Sequence, residues 1–188
     1  MAFCFKRKES VAKAIRRVGR ERIEDALECL KDCRQPEAIH CARKDIKKTR
    51  AVLRLVRTRI RKKAYCRQTD LLREAADDLS SARDAYVNAK ALRDLAAHFK
   101  GQLAPRALRH VRATLRDAAD EESKRFSKKK TARSVKRILR RVAKKLEGLS
   151  VGSKGWKAIC PGVKCAYSDG LRAYGAVLKN PSPENFHE

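Results

Sequence analysis

The chain has 188 residues and a net charge of +26, with 48 Lys and Arg against 22 Asp and Glu. So large a surplus repels itself in the compact state, and it predicts an anionic partner such as nucleic acid, an anionic membrane surface or a free polyanion. No apolar run reaches the roughly 18 residues of a transmembrane helix, and only 8 Gly and 5 Pro are present, which argues against an all-β fold.

The spacing of apolar residues predicts long amphipathic helices in the first half of the chain. Ser10 is typical of a helix N-cap, and the 3-4 spacing after it predicts a helix over 10–33. Pro36 suits a first helical turn, so a second helix is predicted over 36–67. A third helix is predicted over 69–100.

The rest of the chain predicts two further helices separated by a glycine-rich linker. Gly101 ends the third helix, and a fourth is predicted over 105–147, with a break near 127–130 left open. The composition then shifts, and 148–162 is predicted to be a linker. A fifth helix follows over 161–179.

Together these helices predict an all-α fold. Long helices with short connections are typical of antiparallel neighbours, so residues 1–150 are expected to form an antiparallel four-helix bundle. Residues 151–188 are expected to add the linker, the fifth helix and the start of a further unit.

The second predicted helix carries cations along one side. At about 100° per residue they fall within a sector of about 100° that also holds His40, while the apolar residues occupy a different sector. The row consists of Arg43, Lys47, Arg50, Arg54, Arg57 and Arg61, with Lys44 and Lys48 as further candidates. Asp45 is the only acid between Ala38 and Gln68, whereas an ordinary solvated face mixes both signs. A row of about 30 Å favours an extended anionic chain over a compact ligand.

The fourth predicted helix repeats the pattern. Residues 124–145 hold 12 Lys or Arg and no acid. Such a run is typical of ligand contact, but also of a solvated surface helix or a nonspecific nucleic-acid contact. The candidate contacts here are Arg133, Arg137 and Arg140.

The cysteines and the absence of catalytic motifs bear on the possible chemistry. Seven cysteines at irregular spacing are typical of reduced thiols in a cytoplasm. The pairs Cys29–Cys33 and Cys160–Cys165 have the wrong spacing for the usual zinc knuckles, so neither a metal nor a cofactor is expected. No Gly-rich phosphate loop with Lys-Ser/Thr and no Ser/His/Asp or Cys/His set stands out, so an enzyme is not expected.

Short motifs occur in a definite order along nearly the whole chain. Residues 40–57 hold a histidine followed by the basic row, and 79–85 hold a Leu-x-x-x-Arg-Asp segment. Residues 5–17 hold an N-terminal lead-in, and residues 155–167 hold a join that contains Gly-Trp-Lys and Pro-Gly-Val-Lys. Residues 183–188 hold the start of a second histidine motif. In this order the motifs resemble the CHAD family, the conserved-histidine α-helical domains.

The resemblance implies two pseudo-symmetric helical bundles that hold inorganic polyphosphate in a central basic cleft. The lining that it implies is His40, Arg43, Lys47, Arg50, Arg54 and Arg57, with Arg83 as a weaker member. The second histidine motif begins at His187, one residue before the chain ends. The chain is therefore expected to be a first half plus a fifth helix, which a second copy could complete as a homodimer. The cysteine usage indicates a cytoplasmic location, and the resemblance implies association with polyphosphate granules.

Nucleic-acid binding is the alternative left open. The charge supports it equally, but no zinc-finger spacing is present and aromatic residues do not interleave with the basic ones as stacking would require. Docking to an anionic membrane is weaker, because the apolar stripes of the basic helices look like bundle cores. The alternating Glu-x-Glu-x-Lys strand of the triphosphate-cleaving domains often joined to the family is absent. The sequence therefore favours non-catalytic binding of inorganic polyphosphate.

Overall fold

The computed structural model describes residues 3–32, 36–100, 102, 104–128 and 130–182, and within these ranges the chain is all-α, as predicted. The seven α-helices of the described residues are α1 (Val11–Cys29), α2 (Pro36–Leu55), α3 (Lys62–Asp78), α4 (Ser80–His98), α5 (Pro105–Lys128), α6 (Lys130–Glu147) and α7 (Trp156–Lys179). None of these helices combines the length and the apolar content needed to cross a bilayer.

The start of α1 confirms the predicted N-cap. Ser10 has an extended backbone, and its Oγ accepts a hydrogen bond of 3.3 Å from the backbone N–H of Lys13, which satisfies one of the free donors of the first turn. The helix ends at Cys29, earlier than the predicted 33, and a 3-10 turn over Leu30–Asp32 follows. Leu30 is fully buried, so the tighter turn keeps its side chain in the core. Cys33 lies outside the described residues.

The prediction of one helix over 36–67 is wrong, because α2 ends at Leu55 and α3 begins at Lys62. Between them, the backbone N–H of Val56 donates to Leu53 at 3.2 Å and that of Arg59 donates to Val56 at 2.8 Å, the three-residue spacing of a tightened turn. Neither Gly nor Pro marks this reversal in the sequence. An unbroken helix would extend about 48 Å and carry its last turns past the core, whereas the reversal folds α3 back against α2.

The prediction of one helix over 69–100 is also wrong. Helix α3 ends at Asp78, α4 begins at Ser80, and the residue between them, Leu79, is fully buried. Its burial anchors the corner to the core, so the chain bends there without a breaker residue. The break left open near 127–130 does occur, because α5 ends at Lys128 and α6 begins at Lys130. Six helices therefore occupy the described residues below 150, where four were predicted.

The last helix begins earlier than predicted. Helix α7 starts at Trp156 rather than 161, and Pro161 lies inside its second turn, where the missing N–H leaves the carbonyl of Lys157 without its i+4 donor. Gly162 follows at a point where the backbones of α7 and α2 touch. A Cβ built there would lie 2.7 Å from the carbonyl oxygen of Arg54 and closer still to that of Leu55. Only glycine permits this approach.

The helices pack around one main core. Helix α1 packs against α2 and α6, α3 packs against α6 and α2, and α7 packs mainly against α2. Helices α4 and α5 pack chiefly against each other and form an arm beside this core. Fully buried core side chains are Ile15, Ile23, Leu30, Ile39, Ile46, Leu53, Leu72, Leu79, Leu139 and Leu146. Since α2 and α6 both pack against α1 and α3, they lie on opposite sides of the core.

Candidate functional site

The core directs the basic row of α2 outward. Ala42, Ile46, Thr49 and Leu53 lie along one flank of the helix and are fully buried. Thr49 satisfies its hydroxyl within the helix by donating to the carbonyl of Asp45 at 2.9 Å. Because this flank is locked into the core, the cations at the complementary positions must face away from it.

The carboxyl end of α2 and the adjacent face of α3 enclose an open cavity of about 400 Å³, here called the arginine groove. Its lining residues are Arg50, Arg54, Arg57, Tyr65, Cys66, Thr69, Asp70 and Arg73. Four guanidinium groups thus face one space in which Asp70 is the only carboxylate among the lining residues. Asp70 is itself exposed and 3.2 Å from Arg73, so the groove keeps a surplus of positive charge.

Helix α7 contacts two arginines of the groove, although none of its residues lines the cavity. Asp169 Oδ2 lies 3.5 Å from Arg54 Nη2 and 3.5 Å from Arg57 Nη1, and the other carboxylate oxygen pairs with Arg172. One carboxylate is therefore shared among three guanidinium groups. The neighbouring Cys165 side chain raises the pKa of the Arg57 guanidinium, and Asp169 acts in the same direction.

Arg43 is held against the corner between α3 and α4. It is half-buried, and its Nη1 donates to the carbonyl of Ala76 and, at 2.9 Å, to Ser80 Oγ. Burial lowers the pKa of Arg43, and the nearby charge of Arg83 lowers it further. Arg83 itself pairs with Asp84 at 2.7 Å. The structure therefore brings Arg43 and Arg83 together at the amino end of the row.

The exposed members of the row link this corner to the arginine groove. Lys47 is exposed and lies one helical turn from both Arg43 and Arg50, while His40 and Lys44 are exposed near the start of α2. From His40 to Arg54 the row spans about 21 Å, shorter than the predicted 30 Å because α2 ends at Leu55. For the same reason Arg61 leaves the row, and it lies at the start of α3 instead.

Lys48 is placed on another side of α2. Its Nζ lies 3.0 Å from Asp45 Oδ1 and 5.9 Å from the centre of the Phe3 ring. Asp45 also accepts from Arg22 on α1 at 3.3 Å. Lys48 is therefore part of the contact between α2 and α1, and the structure does not bring it to the arginine groove.

The arginines of α6 form a separate surface. Arg133 and Arg137 line an open depression between α6 and α3 that also contains Glu74 and Asp78, and Arg140 is exposed on the outer side of the helix. Burial raises the pKa of Asp78, and the charges of Glu74 and Asp77 raise it further. Because α6 lies across the core from α2, these cations do not join the basic row.

Sequence reasoning did not identify the residues of α3 that line the groove or the residues of α7 that contact its arginines. Cys66, Asp70 and Arg73 follow the i, i+4, i+7 spacing of one face of α3, but the prediction placed them in two different helices. Asp169 and Cys165 come from α7, more than 100 residues away from α2, and no local pattern marks them.

The described residues contain no metal-binding cluster. No three or more His, Cys, Asp or Glu side chains in this part of the chain lie close enough together to hold an ion. Cys33 and His187, which entered the sequence-based reasoning on zinc and on a second histidine motif, lie outside the described residues.

A comparison with protein families finds one match. The family model described as the CHAD domain matches residues 14–188, nearly the whole chain. No curated protein and no solved structure matches the chain.

Proposed function

Because the chain belongs to the CHAD domain family, we propose that it binds inorganic polyphosphate in the arginine groove and along the basic row of α2, without catalysing a reaction. The observation that carries this proposal is the grouping of Arg50, Arg54 and Arg57 with Arg73 around one open space that holds few carboxylates. We further propose a cytoplasmic setting, with association to polyphosphate granules.

The residue type and the shape of the site support an extended phosphate chain. Arg offers a planar fork that binds phosphate oxygens in bidentate fashion, while Lys acts as a point charge. The groove is open, and the exposed side chain of Lys47 continues it toward Arg83. A chain of repeating phosphates can use every cation of such a row, whereas a single phosphate group would meet only two or three.

The contacts differ in their proposed roles. Arg50, Arg54, Arg57 and Arg73 hold the phosphate chain in the groove, and a phosphate displaces Asp169 from its long ion pairs. Lys47, Lys44, His40 and Arg83 extend the track, and Arg43 supports it from within. Lys48, Arg133, Arg137 and Arg140 remain predicted contacts for a chain that is long enough to continue beyond the groove.

A charge-matched pair of double variants tests the proposal. Arg50→Ala with Arg54→Ala removes two charges from the groove, and Arg137→Ala with Arg140→Ala removes two from α6. By analogy with other hydrogen bonds to charged groups, we expect about 1–3 kcal/mol of lost polyphosphate affinity for each groove arginine, and less than about 1 kcal/mol for the α6 pair. Titration with a long polyphosphate measures both. Equal losses would mean that total charge, not the groove, determines affinity.

Competition at two salt concentrations separates the proposal from nonspecific nucleic-acid binding. Among the described residues, Tyr65 is the only aromatic one that lines the groove, so stacked bases find few aromatic rings there. Polyphosphate is expected to displace single-stranded RNA at much lower phosphate concentration than RNA displaces polyphosphate. Both affinities should fall with salt because counterions are released. Preferential retention of RNA would favour the alternative.

A further inference from the structure

Helix α7 carries an apolar stripe that no other part of the described chain covers. Its exposed members are Trp156 at 64%, Val163 at 38%, Tyr167 at 68%, Leu171 at 54%, Tyr174 at 62% and Leu178 at 65%. At about 100° per residue these side chains fall within a sector of about 80°. Ala158 and Gly162, which are buried, lie on the opposite flank, toward α2.

The stripe is large for an isolated surface. Aromatic side chains present about 150–250 Å² each, so the three aromatic residues alone expose roughly 400 Å². Monomeric proteins rarely expose a contiguous apolar patch larger than a few hundred Å². With the leucines and Val163, the stripe approaches the roughly 800 Å² per partner of a standard protein interface. A surface of this size predicts a stable contact.

We propose that the stripe joins two copies of this chain, with α7 packed against α7 in antiparallel fashion about a two-fold axis at Tyr167. The spacing of the stripe is symmetric about that residue. Val163 and Leu171 lie four residues to either side, Cys160 and Tyr174 lie seven, and Trp156 and Leu178 lie eleven. In an antiparallel pair each residue therefore meets its counterpart, and the small Cys160 opposes the large Tyr174. A two-fold contact requires this kind of self-complementarity.

The charges of α7 favour the same arrangement. The stripe itself has no charged residue, and Lys157 and Lys164 lie on one rim. In the antiparallel pair their counterparts are the uncharged Val177 and Gly170, whereas parallel packing would place each lysine against its own copy. An anionic membrane is disfavoured, because interfacial helices carry cations along a broad polar face and the other rim here contains Ile159, Gly170 and Val177.

The contact leaves the arginine groove open, because the stripe lies on the side of α7 that faces away from α2. The inference therefore does not depend on the proposed function.

Light scattering on the full chain tests the contact. We expect twice the 21.3 kDa of one chain, in salt high enough to suppress association through polyanions. Tyr167→Glu places two negative charges across the two-fold axis and should give a monomer, and Ser168→Glu, an exposed neighbour outside the stripe, should remain dimeric. Circular dichroism of both variants checks that the helices are intact. A monomeric wild-type chain, or a dimer that persists in Tyr167→Glu, overturns the proposal.

Cysteine pairing tests the antiparallel register. Tyr167→Cys should give a disulfide between identical residues of two copies, identified by mass spectrometry. Val163→Cys alone should not, but mixed with Leu171→Cys it should link the two variants. Self-linking of Val163→Cys would indicate parallel packing and contradict the proposed axis. Sedimentation with anionic vesicles tests a membrane as the alternative partner. A monomeric chain that binds the vesicles, and loses this binding in Tyr167→Glu, would overturn the dimer.

Discussion

Helices α2 and α6 both place a row of cations beside a buried flank, yet the fold gives the two rows different surroundings. The row of α2 borders α3 and α7, so that Arg50, Arg54 and Arg57 share a groove with Arg73. Of the arginines of α6, Arg140 faces open solvent, and Arg137 shares a depression with Asp78, an acid of α3. Charge density alone does not form a groove, because α6 has the denser run of cations. The groove forms where a neighbouring helix adds a wall and a further cation.

The largest effect is expected where the backbone of α7 packs against that of α2. Gly162→Ala would drive a Cβ into the backbone of Leu55 and Arg54, and overpacking of this kind costs about 1–3 kcal/mol or more. We expect α7 to shift from α2 and stability to fall, while polyphosphate binding is kept, because no residue of α7 lines the groove. Urea unfolding and ligand titration measure the two effects.

Gly170→Ala is the matched control on the same helix. Nothing lies within 4 Å of a Cβ at that position, so the substitution should stabilise α7 by about 0.5–1 kcal/mol through helix propensity. If Gly162→Ala behaved like Gly170→Ala, the close approach of α7 to α2 would be refuted.

The next effect separates structural from ligand-binding cations within the row. Arg43→Met removes the hydrogen bonds to Ala76 and Ser80, and we expect about 1–3 kcal/mol of lost stability because two hydrogen bonds from a charged, half-buried donor are lost. Lys47→Met, one turn along and exposed, should leave stability unchanged but weaken polyphosphate binding. Thermal unfolding and polyphosphate titration of both variants measure these effects. A loss of stability in Lys47→Met with weaker binding in Arg43→Met would show that Lys47 is the structural cation and Arg43 the ligand-binding one.

A smaller effect is expected at the carboxylate that shares the groove. Asp169→Asn removes the long ion pairs to Arg54 and Arg57, which as partly exposed contacts contribute less than about 1 kcal/mol. Polyphosphate should then bind a few-fold more tightly, because it no longer competes with Asp169. Asp117→Asn, exposed on α5, removes the same charge elsewhere and is the control. Equal gains in the two variants would mean that only net charge changed.

The smallest effect concerns the acids beside α6. Burial raises the pKa of Asp78, and the charges of Glu74 and Asp77 raise it further. At a pH above the folded-state pKa, the ionised Asp78 therefore lowers the free energy of unfolding. At a pH below the unfolded-state pKa it has no effect, because Asp78 is protonated in both states. Asp78→Asn should therefore stabilise the protein at pH 7 by up to about 0.5 kcal/mol. The gain should disappear on acidification below the ordinary Asp pKa of about 4. Urea unfolding at both pH values measures it, and destabilisation at pH 7 would show that the α6 arginines neutralise Asp78.

Local signals in the sequence predicted much of the first helix and the orientation of the basic row. Ser10 caps α1, as its residue type predicted, and Ile46 and Leu53 lie in the core, as the apolar spacing of α2 predicted. These predictions succeed because they depend on residues within a few turns of one another. The helix ends at Leu55 and Asp78 have no Gly or Pro to mark them, since burial of Ile60 and Leu79 produces the bends.

The sequence by itself determined that this protein is all-α, strongly basic, a member of its family and equipped with a one-sided row of cations on α2. The tertiary structure alone decided which cations lie together, since it brings Arg73 from α3 and Asp169 from α7 to Arg54 and places the arginines of α6 across the core. The physical reason is the distance along the chain over which each feature is determined. Helical periodicity is set by neighbouring residues, whereas the walls of a groove come from helices whose contacts depend on the packing of the whole core.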